Sequence, residues 1–197
     1  MLNLMGEVMS EKKHSNQRVM LTKQLIRGAL LKMLKTCNIN KISILKLCQI
    51  AGINRTTFYN HYGSQYDVLN EIADIYIQST SFTVINDLSM GKSIDESLTH
   101  VLQYIKDNLE FVKLIISQDN YDLIANIKTS LPKFDNMVIK QLPKNMDFEE
   151  KKAIASYVQY GTIRLLKEWI LSDCVKSPEE EAKLIIYIAG RTISNCK

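Results

Sequence analysis

Apolar residues along this 197-residue chain recur at three- and four-residue steps, the spacing that gathers them on one face of a helix. The series opens with Leu21, Leu25, Ala29, Leu30, Met33 and Leu34, while Lys23, Arg27, Lys32 and Lys35 occupy the other faces. It predicts an amphipathic helix of about four turns, capped at Thr22 or starting nearer Ser15, with His14 in an irregular arm before it. Cys37-Asn38-Ile39-Asn40-Lys41 interrupts the pattern. Ser43 then stands where a cap belongs, ahead of Ile44, Leu47, Cys48 and Ala51. Gly52 suits the positive φ that follows a helix end, and Asn54 can cap a short segment over 55–62. Further helices are predicted at 65–89, 93–107, 109–117, 120–140 (cut by Pro132) and 148–173. Pro178, with Glu179, Glu180 and Glu181 at the positive end of the helix dipole, opens the last. No useful length of period-two alternation is present. The expectation is an all-α fold of about nine helices.

Composition supports this reading. Three Pro and seven Gly are too few for the turns of an all-β or doubly wound fold, and 46 % hydrophobic with 23 % charged residues is the balance of a globular chain. The net charge of +4 is unevenly spread: residues 1–66 hold ten Lys or Arg against Glu7 and Glu11, and the remainder is net acidic. A basic first third suggests either a polyanion-binding head or a solvated lysine-rich helix. The division implied is 1–66 and 67–197. Cys37, Cys48, Cys174 and Cys196 are scattered, without zinc-ligand spacing, as in a reduced cytoplasmic protein. No apolar run reaches the ~18 residues of a membrane span. Neither GxSxG, HExxH nor a Walker-type loop occurs, so no cofactor and no enzymatic activity are expected.

The informative stretch is SILKLCQIAGINRTTFYNHY, residues 43–62. Two short helices meet at Ala51-Gly52-Ile53-Asn54. In a helix-turn-helix the first helix needs small residues where the second crosses it, and Cys48 and Ala51 supply them. Ile53 fills the corner, Asn54 caps the second helix, and Phe58 lies on its inner side. Arg55, Thr56, Thr57 and Asn60 then face outward, where a major groove could receive them. The competing reading is a plain helical hairpin.

The run AGINRTTFYNHYGS, after a basic amphipathic helix and before a long one, resembles the TetR family of bacterial transcriptional regulators. The likeness is dense over 22–69 and architectural beyond, with Phe58-Tyr59-x-His61-Tyr62 its signature. The resemblance implies an N-terminal DNA-binding domain, a C-terminal domain that dimerises through helices 148–173 and 178–195, and a small-molecule effector. It implies a homodimer, acting as a repressor, on a palindromic double-stranded operator. It places base contacts on Arg55, Thr56 and Asn60, and phosphate contacts on Thr22, Ser43, Lys46, Thr57, Tyr59, His61 and Gln65. Gln65 departs from the Lys common there, which should remove about one counterion from the salt dependence. Tyr157-x-x-Tyr160-Gly161, Trp169 and Ser177-Pro178-Glu179-Glu180 resemble a subgroup related to dihydroxyacetone-kinase regulators. Some of that subgroup work through a partner protein, which is the alternative function. The effector pocket candidates are Tyr76, Phe82, His100, Tyr104, Phe111, Tyr121, Tyr157, Tyr160 and Trp169; for the aromatics, ordinary core is the competing reading.

Overall fold

The computed structural model describes residues 2–118 and 133–196, so Tyr121 and the first part of the 120–140 segment lie outside the described residues. Among the described residues there are nine α-helices, one short 3-10 turn and no strand. In chain order they are α1 (Leu2–Leu34), the 3-10 turn (Ile39–Lys41), α2 (Ile44–Ala51), α3 (Arg55–Tyr59) and α4 (Gln65–Ser89). These are followed by α5 (Ile94–Asp107), α6 (Leu109–Ile116), α7 (Lys133–Ile139), α8 (Phe148–Leu171) and α9 (Pro178–Ser194). None of these helices is long and apolar enough to cross a membrane.

The chain divides into two compact units, Met1–Ile72 and Ala73–Lys197. In the first, Ile26 and Leu30 of α1, Ile39 of the 3-10 turn, Leu47 of α2, Phe58 of α3 and Val68 of α4 are fully buried together with Leu69. Each such side chain contributes roughly 1.5–3 kcal/mol of transfer free energy. α1 differs from its sequence expectation in two respects. It runs back to Leu2, so Thr22 is not a cap but an interior residue whose hydroxyl donates to the Arg18 carbonyl at 2.9 Å. The stretch before Thr22 contains no proline, and its Leu, Met, Glu and Lys residues favour helix continuation. Leu21 and Leu25 are exposed, and the buried stripe is Ile26, Ala29, Leu30 and Leu34. The periodic pattern located the helix, and packing chose which neighbouring stripe faces the core.

In the second unit, α9 packs along α5 and α8. Leu102, Ile105, Val112, Ile116, Trp169, Ile170, Cys174 and Ala182 form one core cluster, and Val138, Leu142, Ala155, Val158 and Ile193 another. Asp173 and Cys174 carry positive φ after α8, with the Cys174 amide donating to the Trp169 carbonyl at 2.9 Å. Trp169 Nε1 donates to the Lys176 carbonyl at 3.0 Å, which fixes the turn leading into α9. There Ser177 and Glu180 form a reciprocal capping box ahead of Pro178.

Candidate nucleic-acid interface

The exposed side of the first unit is built around α2 and α3. Ser43 Oγ accepts from the Lys46 amide at 3.3 Å and starts α2. Gly52 ends it at φ 69°, a left-handed conformation that costs a side-chain-bearing residue about 1–2 kcal/mol. The Gly52 and Ile53 amides close the turn on the Gln49 and Cys48 carbonyls. Two residues later Asn54 Oδ1 accepts from the Thr57 amide at 2.7 Å. The turn is therefore shut at both ends by local hydrogen bonds, and the five residues of α3 start at a fixed point. Burial of Cys48 and Ala51 under the crossing agrees with the small-residue requirement. Burial also pushes the Cys48 thiol pKa up, partly offset by the Arg55 charge.

Phe58 is 0 % exposed, anchoring α3 by its inner side. Arg55, Thr56 and Asn60 are exposed, with Thr57 half-buried. Asn60 is the C-cap of α3, one position past the helix, and its amide donates to the Thr56 carbonyl at 3.0 Å. Tyr59, turned about 100° from Phe58 on the helix, is 49 % exposed. The Arg55 guanidinium lies 5.9 Å from the centre of the Tyr59 ring. This contact favours a guanidinium held over the helix rather than sweeping through solvent. Lys46 and Ser43 are exposed and His61 is half-buried.

Gln65, half-buried, opens α4. A reciprocal cap closes the helix start: Asp67 Oδ2 accepts from the Gly63 and Ser64 amides at 2.9 and 3.0 Å, and Ser64 Oγ accepts from the Asp67 amide at 3.3 Å.

No Asp or Glu occurs from Lys12 through Tyr66. An acid of α4, Glu71, meets the basic residues of α1. Its Oε1 accepts from Lys23 Nζ at 2.7 Å, and its Oε2 accepts from Arg27 Nη1 at 3.3 Å and from the Tyr62 hydroxyl. Burial raises the Glu71 pKa, but the hydrogen bonds from Lys23, Tyr62 and Arg27 outweigh it and hold the carboxyl below its usual range. Burial and the hydrogen bond to Glu71 push the Tyr62 hydroxyl well above its usual range. No sequence signal marked this group: Lys23 and Arg27 stand four apart on α1, but the carboxylate they meet lies 48 and 44 positions away.

Of the described effector candidates, Tyr76, Tyr104, Phe111 and Trp169 gather at one core cluster, while Phe82, Tyr157, Tyr160 and His100 are exposed. Tyr76, Tyr104 and Phe111 come together, with ring centroids 5.3 and 5.4 Å from Tyr76. The Tyr76 hydroxyl is buried without a hydrogen-bond partner, and burial followed by the Tyr104 charge pushes its pKa up. Trp169 is core. Phe82 and Tyr157 are both 70 % exposed, and Tyr160 is exposed on the outer side of α8. His100 is exposed, with Nδ1 2.7 Å from Asp87 Oδ2. Lys92 Nζ donates to Asp87 Oδ1 at 2.8 Å, and this bond leads the contacts that lower the Asp87 pKa. This group ties the end of α4 to α5. Among the described residues no three His, Cys, Asp or Glu gather as a metal site.

A family model described as a transcriptional regulator C-terminal region matches residues 92–190. No curated protein matches the sequence. A TetR transcriptional regulator from Streptococcus agalactiae, 16 % identical, has a TM-score of 0.68 and covers 90 % of this chain and 98 % of its own. The dihydroxyacetone kinase operon activator DhaS, 22 % identical, has a TM-score of 0.55, covering 88 % of this chain and 97 % of its own. Thermus thermophilus FadR, a TetR-family repressor in complex with lauroyl-CoA, is 13 % identical with a TM-score of 0.56, covering 87 % of this chain and 94 % of its own. At these identities the likeness is one of fold.

Proposed function

Because the chain belongs to the TetR family of transcriptional regulators, we propose that it is a sequence-specific DNA-binding regulator that acts as a homodimer. In this reading α3 is the recognition helix. Arg55 grips guanine through two hydrogen bonds, Asn60 reads adenine and the Thr56 methyl packs on thymine. Ser43, Lys46, Thr57, Tyr59 and His61 donate to phosphates and set the register, with Gln65 and the Thr22 side of α1 at the edges. The observation that carries the reading is α3 itself. It is a five-residue helix closed by Asn54 and anchored by Phe58, and the side it leaves exposed carries only polar, cationic and aromatic groups.

The dimer is assigned to α8 and α9. Their exposed sides carry Tyr157, Tyr160, Leu171, Tyr187 and Ile188. Gly161 and Gly190 lie on the same helices, exposed, and a methyl group placed on either meets nothing within 4 Å. A mid-helix glycine costs about 0.5–1 kcal/mol relative to alanine, and close approach of a second copy at these two positions would use the missing side chains. Two-fold symmetry then presents two α3 helices to half-sites about one helical turn apart. A small-molecule effector bound in the second unit near Tyr76, Tyr104 and Phe111 shifts the equilibrium between dimer geometries and so the affinity for DNA, with repression as the default output.

The test is fluorescence anisotropy over a salt series, comparing the DNA upstream of the gene and duplexes enriched from a random library with a random duplex. A specific complex about a thousandfold tighter than random is expected. Equal affinity for every duplex would remove sequence reading from the function.

A further inference from the structure

Resting on that DNA-binding reading, we propose that Glu71 is the positioning residue of the recognition helix and acts through Tyr62. α3 has five residues, far too few to hold a helical conformation by itself. Its N-terminal end is closed by Asn54, but its C-terminal end passes directly into Asn60-His61-Tyr62. The His61 and Tyr62 amides turn back onto the Phe58 carbonyl at 2.9 and 3.0 Å. The nearly buried Tyr62 ring lies 5.9 Å from the Phe58 ring and is tilted 42° to it.

The Tyr62 hydroxyl donates to Glu71, and Glu71 is itself clamped by Lys23 and Arg27 of α1. Lys23 Nζ also lies 5.1 Å from the centre of the Tyr62 ring. Two cations fix a carboxylate, the carboxylate fixes a phenol, and the phenol fixes the far end of α3. Hydrogen bonds to an ionised acceptor are shorter and about twice as strong as neutral ones. Neither Tyr62 nor Glu71 needs to touch DNA. Their effect is on where Arg55, Thr56 and Asn60 stand, and α3 thereby takes its position from α4 and α1. Glu71 also withdraws Lys23 and Arg27 from the cations available to phosphate.

The experiment uses the full chain, the near-isosteric variants Tyr62→Phe and Glu71→Gln, and the double variant. Binding is measured to the duplex that wild type enriches from a random library and to a random duplex, at several salt concentrations. Each single variant is expected to lower the specific-to-random affinity ratio about tenfold, the loss of one base contact. The double variant is expected to lose no more than the worse single one, because both break the same chain of contacts. Random-duplex binding stays level in Tyr62→Phe and rises in Glu71→Gln as Lys23 and Arg27 are released.

A structural role alone would lower binding to both duplexes in proportion and leave the ratio unchanged. That result, or losses that multiply in the double variant, overturns the proposal. Should wild type enrich no sequence, the DNA-reading proposal fails first and this one falls with it. That outcome is visible before any variant is made.

Discussion

Gly161 and Gly190 allow the dimer assignment to be tested by a sign rather than a size. Both are exposed on long helices, and a methyl group on either meets nothing within 4 Å in the chain. In an isolated protomer Gly161→Ala should therefore be stabilising, by about 0.5–1 kcal/mol from the reduced freedom of the unfolded chain. In a dimer crossing at this point, the added methyl is driven into the facing helix. Overpacking costs roughly 1–3 kcal/mol per site, and two-fold symmetry repeats the site, so at least about 2 kcal/mol opposes association. The gain in helix propensity is common to folded protomer and dimer and cancels from the dissociation constant. Kd should rise about thirtyfold or more in Gly161→Ala, with Gly190→Ala changing in the same direction. Sedimentation equilibrium reads Kd, and urea unfolding of the dissociated protomer reads the intrinsic term. A protomer that gains stability while its dimer keeps wild-type Kd would show that nothing approaches Gly161. The interface would then have to be sought elsewhere.

Three further outcomes are expected. Arg55→Ala should relax base preference at one operator position at a cost of about 1–3 kcal/mol, whereas Lys46→Ala should weaken all sequences alike and reduce the salt slope by about one; anisotropy titrations across single-base operator variants separate the two. Asn54→Ala removes the cap of α3 and should lower stability by about 1 kcal/mol in thermal unfolding, while Asn54→Ser restores most of it. The third concerns acid. Because the folded Glu71 carboxyl lies below its usual range, its contribution is fully present above the unfolded value of about 4.3 and is lost as pH falls through the lower folded value. Wild type should therefore lose stability faster than Glu71→Gln as pH drops below about 4.3, and parallel acid limbs in the two Tm–pH curves would contradict the assignment.

The central motif was legible because its chemistry is local. Ser43, Gly52 and Asn54 act within three residues of themselves, through a cap, a positive φ and a second cap, and the structure has all three. α4 follows the same logic and occupies the span its pattern predicted. The family, too, could be read from one contiguous run of residues, and so could the all-α class.

What depended on contacts distant in sequence was not legible. Thr22 looked like a cap, but nothing before it breaks the helix, so α1 continues past it. Leu21 and Leu25 fit the same period as Ile26 and Leu30, and only tertiary packing, that of α2 against α1 included, decided which stripe is buried. Phe82, Tyr157 and Trp169 look alike in sequence, since an aromatic at helical spacing carries no mark of its neighbour; the structure exposes two of them and buries the third. Glu71 shows the limit most clearly. A single carboxylate near a lysine and an arginine 48 and 44 positions away is silent in one dimension. The meaning of its charge comes from the tertiary fold, which brings α1, the end of α3 and α4 to one point. Short-range hydrogen bonding and backbone sterics are written in the sequence residue by residue. Burial and ion pairing depend on which surfaces meet, and those belong to the folded chain.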